Sequence, residues 1–292
     1  MRQTLTIFTP TYNRAYTLER LYQSLLRQTS KDFCWIVVDD GSTDNTEQLV
    51  NTWITDNKID ITYYRQENQG KPSAHNKGVE LTKTELFTCV DSDDYLKDYA
   101  VERIIEVWNP LLSYVGILGY KCIERGVLTK YKANRLKHAT LREFYDDGLS
   151  GDTVLIYKTE VLKKYSFPRF EGEKFVPEVY LYDLIDQDGE LLLLPESLYV
   201  CEYLSDGYTV HMASVLFHNP KGYFAFINQR LRFDKTIKQI IADSIRYDAM
   251  AFAHKRPLRE SSRPGFAYLA AVPGVIMYLM RYKKYVNCGD QQ

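Results

Sequence analysis

Residues 34–65 run CWIVVDDGSTDNTEQLVNTWITDNKIDITYYR, and their pattern changes period twice. "CWIVVD" (34–39) is an unbroken apolar run ended by a carboxylate, as expected of a strand covered on both faces. Asp44 is then placed to cap a helix. Glu47 follows three residues later, and Leu49, Val50, Trp53 and Ile54 share one helical face. "DITYYR" (60–65) returns to strand character.

The alternation continues on both sides. "TLTIFT" (4–9) reads as a strand, and Leu18, Leu21, Tyr22, Leu25 and Leu26 follow it at helical spacing. "GKPSAHNKGVEL" begins a short helix, with Pro72 suited to its first turn. "ELFTCVD" (85–91) is a fourth strand, and Val101, Ile104, Ile105 and Trp108 mark another amphipathic helix. Such alternation predicts a mainly parallel sheet flanked by helices, the α/β class. Ligands of these sheets gather beyond the carboxyl ends of the strands. Further on, "YVGILGYKCIERGVLTKYK" (114–132) predicts a strand and a hairpin around Gly126. "TVLIYK" (153–158) and "ELLLLPESLYVCEYL" (190–204) add strands, with a helix expected at about 177–186. From Asn219 onward the pattern is almost wholly helical.

The chain has 292 residues, 45% of them apolar, enough for one large α/β domain with an appendage or for two domains. A net charge of −1, with no dense Lys/Arg run, argues against a nucleic-acid partner. Five cysteines at 34, 89, 122, 201 and 288 are scattered, odd in number and never paired as CxxC. That pattern argues against a disulfide framework or zinc site and for a reducing cytosol. No signal peptide precedes the first strand. Near the end, "GFAYLAAVPGVIMYLM" (265–280) is uncharged and bounded by Arg263, Arg281, Lys283 and Lys284. It falls short of the roughly 20 residues that span a bilayer, and Pro273 is expected to interrupt it. A core helix, a helix pair lying in a membrane interface, and a true span remain open.

Three polar clusters fall where predicted strands end: Pro10-Thr11-Tyr12-Asn13-Arg14, Asp39-Asp40-Gly41-Ser42-Thr43-Asp44, and Asp91-Ser92-Asp93-Asp94. In an extended segment Asp91 and Asp93 point one way and Ser92 the other. Two carboxylates at a ligand-binding sheet edge suit a hard divalent cation such as Mg²⁺ or Mn²⁺, which prefers oxygen ligands. Mg²⁺ is often held by one or two carboxylates plus substrate phosphates, so such a site stays incomplete until a phosphorylated ligand arrives. Taken singly, each acidic cluster is equally a turn and helix cap.

Four blocks in order carry a resemblance: "FTPTYNRAYTLERLYQSLLRQT", "FCWIVVDDGSTDNT", "NQGKPSAHNKGVE" and "FTCVDSDDYL". Their sequence and spacing resemble family 2 glycosyltransferases of the GT-A fold, closely over the first 110 residues and more loosely to about 210. The resemblance implies a nucleotide-sugar transferase domain at 1–210, with a nucleotide-binding half at 1–110 and an acceptor half at 111–210. A helical region would follow at 211–292. It implies that Tyr12 packs on the nucleotide base beside the Thr9–Pro10 backbone, and that Asp40 accepts from the base imide while Asp39 orients the loop. Lys71 would lie near the base or diphosphate. Asp91, with Ser92 beside it, would face the ribose and donor sugar, and Asp93 would hold the metal, with Asp91 and Asp94 as further ligand candidates. His75 stands where the family often has Arg, and its role is left open.

"FPRFEGEKFVPEVYLYDLI" (167–185) is similar to the acceptor-side segment of members that build bacterial surface polysaccharides. Glu178 matches their catalytic carboxylate, although Val179 follows where Asp is common. Glu173 is the competitor, and a helix-start role favoured by the macrodipole is the alternative for Glu178. Gly151-Asp152 resemble a segment flooring the acceptor pocket, and Tyr208 and His211 are candidates for contact with diphosphate or acceptor.

The implied activity is that of an inverting, metal-dependent hexosyltransferase using a UDP-sugar and Mn²⁺ or Mg²⁺. Its acceptor would be a glycan on a polyprenyl carrier at the inner face of the cytoplasmic membrane. Capsule, exopolysaccharide or lipopolysaccharide synthesis is the setting. Peripheral membrane contact through 264–285 and self-association both remain open. Two alternatives stand beside this. A nucleotidyltransferase should carry a Gly-rich signature in its first loop, which Pro10-Thr11-Tyr12-Asn13 lacks. A catalytically silent interaction module would be expected to lose Asp91 and Asp93.

Overall fold

The computed structural model describes residues 3–132, 135–202 and 208–288, the side chains of 208–210 and 287–288 excepted. Two compact units form, Met1–Ser166 with Leu184–Leu204, and Phe167–Asp183 with Ser205–Gln292. The acceptor-like segment 167–183 therefore groups with the C-terminal helices, where the sequence reading had kept it within a domain ending at 210.

The first unit opens with β1 (Leu5–Thr11), α1 (Ala15–Leu26), β2 (Phe33–Asp39), α2 (Thr46–Asp56), β3 (Ile61–Arg65), α3 (Lys71–Leu81) and β4 (Leu86–Cys89). Strands β1, β2, β3 and β4 pair in parallel, in the spatial order β3-β2-β1-β4. Next come β5 (Tyr95–Leu96), α4 (Ala100–Val107), β6 (Gly116–Ile123), β7 (Gly126–Val127), β8 (Lys130–Tyr131) and β9 (His138–Ala139). They are followed by α5 (Leu141–Asp146), β10 (Leu149–Ser150), β11 (Thr153–Lys158), α6 (Thr159–Leu162) and, after α7 (Val179–Ile185), most of which groups with the second unit, β12 (Leu191–Val200). β11 joins the sheet antiparallel to both β4 and β6, and β6 runs parallel to β12. The result is the expected α/β sheet, mainly parallel in its first half and mixed in its second. β6 and β7 form the hairpin expected at Gly126.

Burial explains the parallel half. Every residue of β1 is buried, and β2 is buried except at Cys34. Trp35, Tyr22 and Trp53 stack between β2, α1 and α2, with the Tyr22 and Trp53 ring centroids 4.3 Å apart. Two local expectations shift. The N-cap of α2 is Asn45, one residue later than expected; Asp44 instead accepts from the Thr46 and Ala15 N–H groups at 3.1 Å each, tying α2 to the start of α1. β4 ends at Cys89, and Ser92 and Asp93 lie in a turn closed by the Asp94 N–H donating to the Asp91 carbonyl at 3.1 Å. Strand alternation therefore does not set the direction of Asp91 and Asp93; turn-forming residues outweigh the β-pattern there.

The second unit contains α8 (Tyr208–His218), α9 (Pro220–Phe233), α10 (Ile237–Ala253), α11 (Pro264–Arg281) and α12 (Lys283–Cys288). Its core holds Tyr223, Phe224, Ile227, Leu231, Tyr247, Met250 and Tyr282. Thr236 caps α10 in a reciprocal box with Gln239, and buried Asp243 accepts from Arg230 at 2.7 Å and pairs with Arg246. α11 is one helix, running through Pro273 where an interruption was expected. The carbonyl that Pro273 cannot bond belongs to Leu269, a residue that is 80% exposed. Among the described residues no helix is long and apolar enough to cross a membrane.

α10 and α11 meet at Gly274, where a Cβ would fall 2.4 Å from the Asp248 Cβ. Asp248 is fully buried there, and neither carboxylate oxygen has a hydrogen-bond partner among the described residues. Burial pushes its pKa from 3.8 up to about 7. The unfolded chain releases this proton near pH 4 and the folded one only near pH 7, so this group's contribution to stability is fully present below pH 4 and is lost as pH rises through that window. At about 1.4 kcal/mol per pKa unit, the loss is on the order of 2–4 kcal/mol. Asp248→Asn should flatten the pH dependence of melting between pH 5 and 8 and raise the melting temperature at pH 8. Scanning calorimetry at both pH values checks this.

Candidate active site

The clusters at the ends of β1, β2 and β4 lie along one edge of the parallel strands, because β1 has β2 on one side and β4 on the other. The first two loops brace each other. The Asp40 N–H donates to the Thr11 carbonyl at 2.8 Å, the Asn13 N–H to Ser42 Oγ at 2.9 Å, and the Thr43 N–H to Asn13 Oδ1 at 2.8 Å. Asn13 takes a left-handed φ of 53°, which asparagine tolerates better than most residues. Gly41 turns the second loop at φ 84°, with its Cβ direction blocked 3.0 Å away by the Asn68 nitrogen.

Asp39 and Asp40 are both buried and divide the bracing between them. Asp39 accepts from the Ser42 N–H at 2.7 Å and the Tyr63 hydroxyl at 2.6 Å. Asp40 accepts from Gln66 Nε2 at 2.7 Å, the Gln69 N–H at 2.9 Å and the Gly70 N–H at 2.7 Å, drawing the loop before α3 toward β2. A carboxylate offers roughly four acceptor positions, so Asp40 keeps capacity for one further donor. Thr9 is fully buried, and its hydroxyl accepts from Trp35 Nε1 at 3.0 Å; it and Pro10 lie within β1, opposite Val37 and Val38 of β2. Tyr12 is 47% exposed.

The third loop carries the carboxylates. Lys71, at the start of α3, donates to Asp91 Oδ1 at 2.5 Å. Burial opposes the ionisation of Asp91, but the charges of Lys71 and Lys121 outweigh it and hold the group below the usual range. Burial and the Asp91 charge push Asp93 upward, and the same two causes push Asp94 to about 6. The three carboxylates are thus crowded, each of the last two held up partly by its neighbour's charge. Ser92 is buried in the turn between them.

Asp94 is bonded on both of its oxygens. It accepts from the Tyr199 hydroxyl at 2.7 Å and the Glu202 N–H at 2.8 Å, one on each oxygen. Tyr199 also accepts from the Asp91 N–H at 3.0 Å, so one buried phenol holds both ends of the turn. Burial and the charges of Asp91 and Asp94 keep that phenol protonated. Arg20 donates to the Asp93 carbonyl and pairs with Glu202. Lys121 Nζ lies 3.9 Å from the Tyr199 ring centroid.

Among the described residues no three His, Cys, Asp or Glu side chains converge into a self-sufficient metal cage. Hard oxygen donors are present in Asp91, Asp93 and Asp94, the last of which also holds the loop. The donor set suits a hard cation that takes its remaining ligands from a phosphorylated substrate. His75, a buried residue of α3 itself, packs edge-on against Phe8 and Phe87, with centroids 5.6 and 5.4 Å away.

The remaining candidates are described within their own units. Gly151 accepts from the Tyr145 hydroxyl at 2.8 Å, and Asp152 is exposed just before β11. In the second unit, Glu173 accepts from the Lys221 and Gly222 N–H groups at 2.9 and 2.8 Å, capping the first turn of α9. Glu178 is half-buried ahead of α7 and accepts from the Tyr182 hydroxyl at 3.3 Å. His211 is exposed on α8, while the side chain of Tyr208 lies outside the described residues.

Arg20, Lys121, Tyr199 and Glu202 were not found from sequence. Tyr199 and Glu202 reach the turn only because β12 pairs with β5 just beyond it, and no local pattern announces that pairing.

The model of the glycosyl transferase family 2 matches residues 6–162, more than half of the chain. The chain belongs to this family. Among curated relatives, the glycosyltransferase GlyG of Streptococcus pneumoniae is 33% identical over 36% of this chain and 35% of its own length. A GalNAc(5)-diNAcBac-PP-undecaprenol beta-1,3-glucosyltransferase of Campylobacter jejuni is 29% identical over 60% of this chain and 56% of its own. The chain thus spans between about a third and somewhat over half of these relatives. Two solved structures share the fold. The S. aureus TarS fragment 1-349 with UDP-GlcNAc has a TM-score of 0.58 at 20% identity, covering 97% of this chain and 91% of that one. The mannosyltransferase PcManGT of Pyrobaculum calidifontis with GDP-Man and Mn²⁺ has a TM-score of 0.58 at 17% identity, covering 100% and 89%. The GT-A fold expected from the four blocks is therefore present.

Proposed function

We propose that this family member is an inverting glycosyltransferase that moves a sugar from a UDP-sugar to a hydroxyl of a lipid-linked glycan in bacterial surface-polysaccharide synthesis. The observation that carries this reading is the acidic turn at Asp91–Asp94, pinned by Tyr199 at the end of β4 with Lys71 against it. A rigid carboxylate edge beside a lysine is suited to a nucleoside diphosphate and its cation. Asp93, with Asp91, would hold Mn²⁺ or Mg²⁺, and when bound such an ion neutralises charge developing on the leaving diphosphate.

The chain's own residues do the rest. Tyr12 stacks on the base, and Asp40 accepts from its imide with the position left open by its three loop donors. Lys71 and Asp91 orient the diphosphate-proximal part of the donor. Glu178 takes the proton of the acceptor hydroxyl as its oxygen bonds to the anomeric carbon. The bond from that carbon to the phosphate oxygen breaks with its electron pair leaving on UDP, and one displacement inverts the centre. Of the two carboxylates weighed for the base, Glu173 is occupied in capping α9, which favours Glu178.

The choice of UDP is supported by the UDP-GlcNAc bound to TarS, although PcManGT binds GDP-Man. The lipid carrier is supported by the Campylobacter relative, whose name specifies PP-undecaprenol. Polymer synthesis is supported by a 34% identical teichoic acid poly(glycerol phosphate) polymerase of Staphylococcus epidermidis, of which the chain covers 22%. The cytoplasmic face of the membrane is the place where such a donor and carrier meet. Incubation with UDP-, GDP- and dTDP-sugars and Mn²⁺, read as nucleotide release, tests the reading. Release of UDP alone supports it, and release from none of the donors overturns it in favour of a silent module.

A further inference from the structure

The second unit presents a surface that its own core does not use. On α11, Leu269, Val272, Val275, Ile276, Leu279 and Met280 are exposed, Val272 at 74% and Met280 at 82%. Beside them Ile237 and Ile241 of α10 are exposed as well, and a groove of about 360 Å³ between the helices is lined by Ile245, Pro273, Ile276, Met277, Met280 and Arg281. Isolated exposed apolar residues are ordinary, but a contiguous face along a whole helix marks an interaction site.

Charge identifies the occupant. Residues 235–284 hold ten Lys and Arg against three acids, Asp243, Asp248 and Glu260. Both acids of α10 are buried, so among the described residues of α10, α11 and α12 every exposed charge is positive. With a whole-chain net charge of −1, the segment carries +7 and the remainder −8. Arg263 precedes α11, Arg281 ends it, and Lys283 and Lys284 follow at once, all four exposed. A second copy meeting this face through a twofold axis would bring like charges together at the rim. Anionic headgroups would instead neutralise them while the apolar side chains enter the acyl boundary. At 18 residues, α11 suits a position in the plane of the interface.

We propose that the α10–α11 face docks on an anionic lipid surface. Leu269, Val272 and Met280 insert, and Arg281, Lys283 and Lys284 engage the headgroups. The inference stands on this surface alone and holds whichever donor the first unit binds.

The test is co-sedimentation of the full chain with phosphatidylcholine vesicles, with and without phosphatidylglycerol. Binding is expected only to the anionic vesicles. Lys283→Gln with Lys284→Gln should weaken it roughly tenfold or more, from the attraction of two basic residues near a charged surface. Leu269→Glu with Met280→Glu should abolish it while circular dichroism and solution nucleotide release stay unchanged, since both side chains are exposed. No binding to anionic vesicles, or equal binding by the Glu variants, overturns the proposal. So does a dimer in analytical ultracentrifugation that those variants dissolve, because the face would then belong to a second copy. Donor turnover is read separately, so failure here is distinguishable from failure of the proposed function.

Discussion

Asp93→Ala should reduce metal-dependent donor affinity by at least a hundredfold while leaving the fold intact. The carboxylate sits in a turn whose geometry is set by other groups: Tyr199 bonded to Asp91 and Asp94, and Arg20 bonded to the Asp93 carbonyl rather than to its side chain. Removing the side chain would therefore take away the proposed oxygen ligand without loosening the loop, and it also removes a group held above its usual pKa by burial and Asp91. Losses of about 10²–10³ are typical when one electrostatic partner of a developing charge is deleted. Titration of the variant with nucleotide and Mn²⁺ gives the effect, and unchanged melting shows that it is local. Undiminished affinity would mean that the metal is held elsewhere.

Glu178→Gln should keep donor binding and lose transfer by about 10²–10⁴, the usual contribution of a general base. The replacement still offers an oxygen to the Tyr182 hydroxyl, which Glu178 accepts from at 3.3 Å, so local structure is expected to persist. Glu173 provides the contrast. Its carboxylate caps α9, and Glu173→Ala should cost about 1–2 kcal/mol of stability in the second unit with little effect on the chemical step. Rates at saturating donor, set beside melting temperatures, separate the two roles. Normal turnover by Glu178→Gln would reassign the base.

Much of the first unit was legible because its strands are buried on both faces. "CWIVVD" could be read as a central strand from apolarity alone, and it became β2 almost residue for residue. The polar clusters were legible because Asp, Gly and Ser rarely end three neighbouring strands without purpose. Less legible was the turn at Ser92–Asp93. An extended reading and a tight turn demand similar residues there, and only the distant Tyr199 decides between them. Pro273 misled for a related reason: its penalty falls on a carbonyl, and the position of that carbonyl on an exposed face is a tertiary fact. The grouping of 167–183 with the C-terminal helices was not legible. That segment carries no composition shift, and its packing against α9 depends on Glu173 and on Asn219, which accepts from the Lys174 N–H at 2.8 Å.

The measurement to make first is calorimetric titration of the whole chain with UDP, GDP and dTDP in Mn²⁺, repeated in EDTA. A pinned acidic turn completed by a substrate diphosphate should bind UDP with metal and lose most of that affinity without it, while GDP and dTDP bind weakly in both. Absence of nucleotide binding in Mn²⁺, or binding that EDTA leaves unchanged, would show that Asp91 and Asp93 do not form half of a metal–diphosphate site.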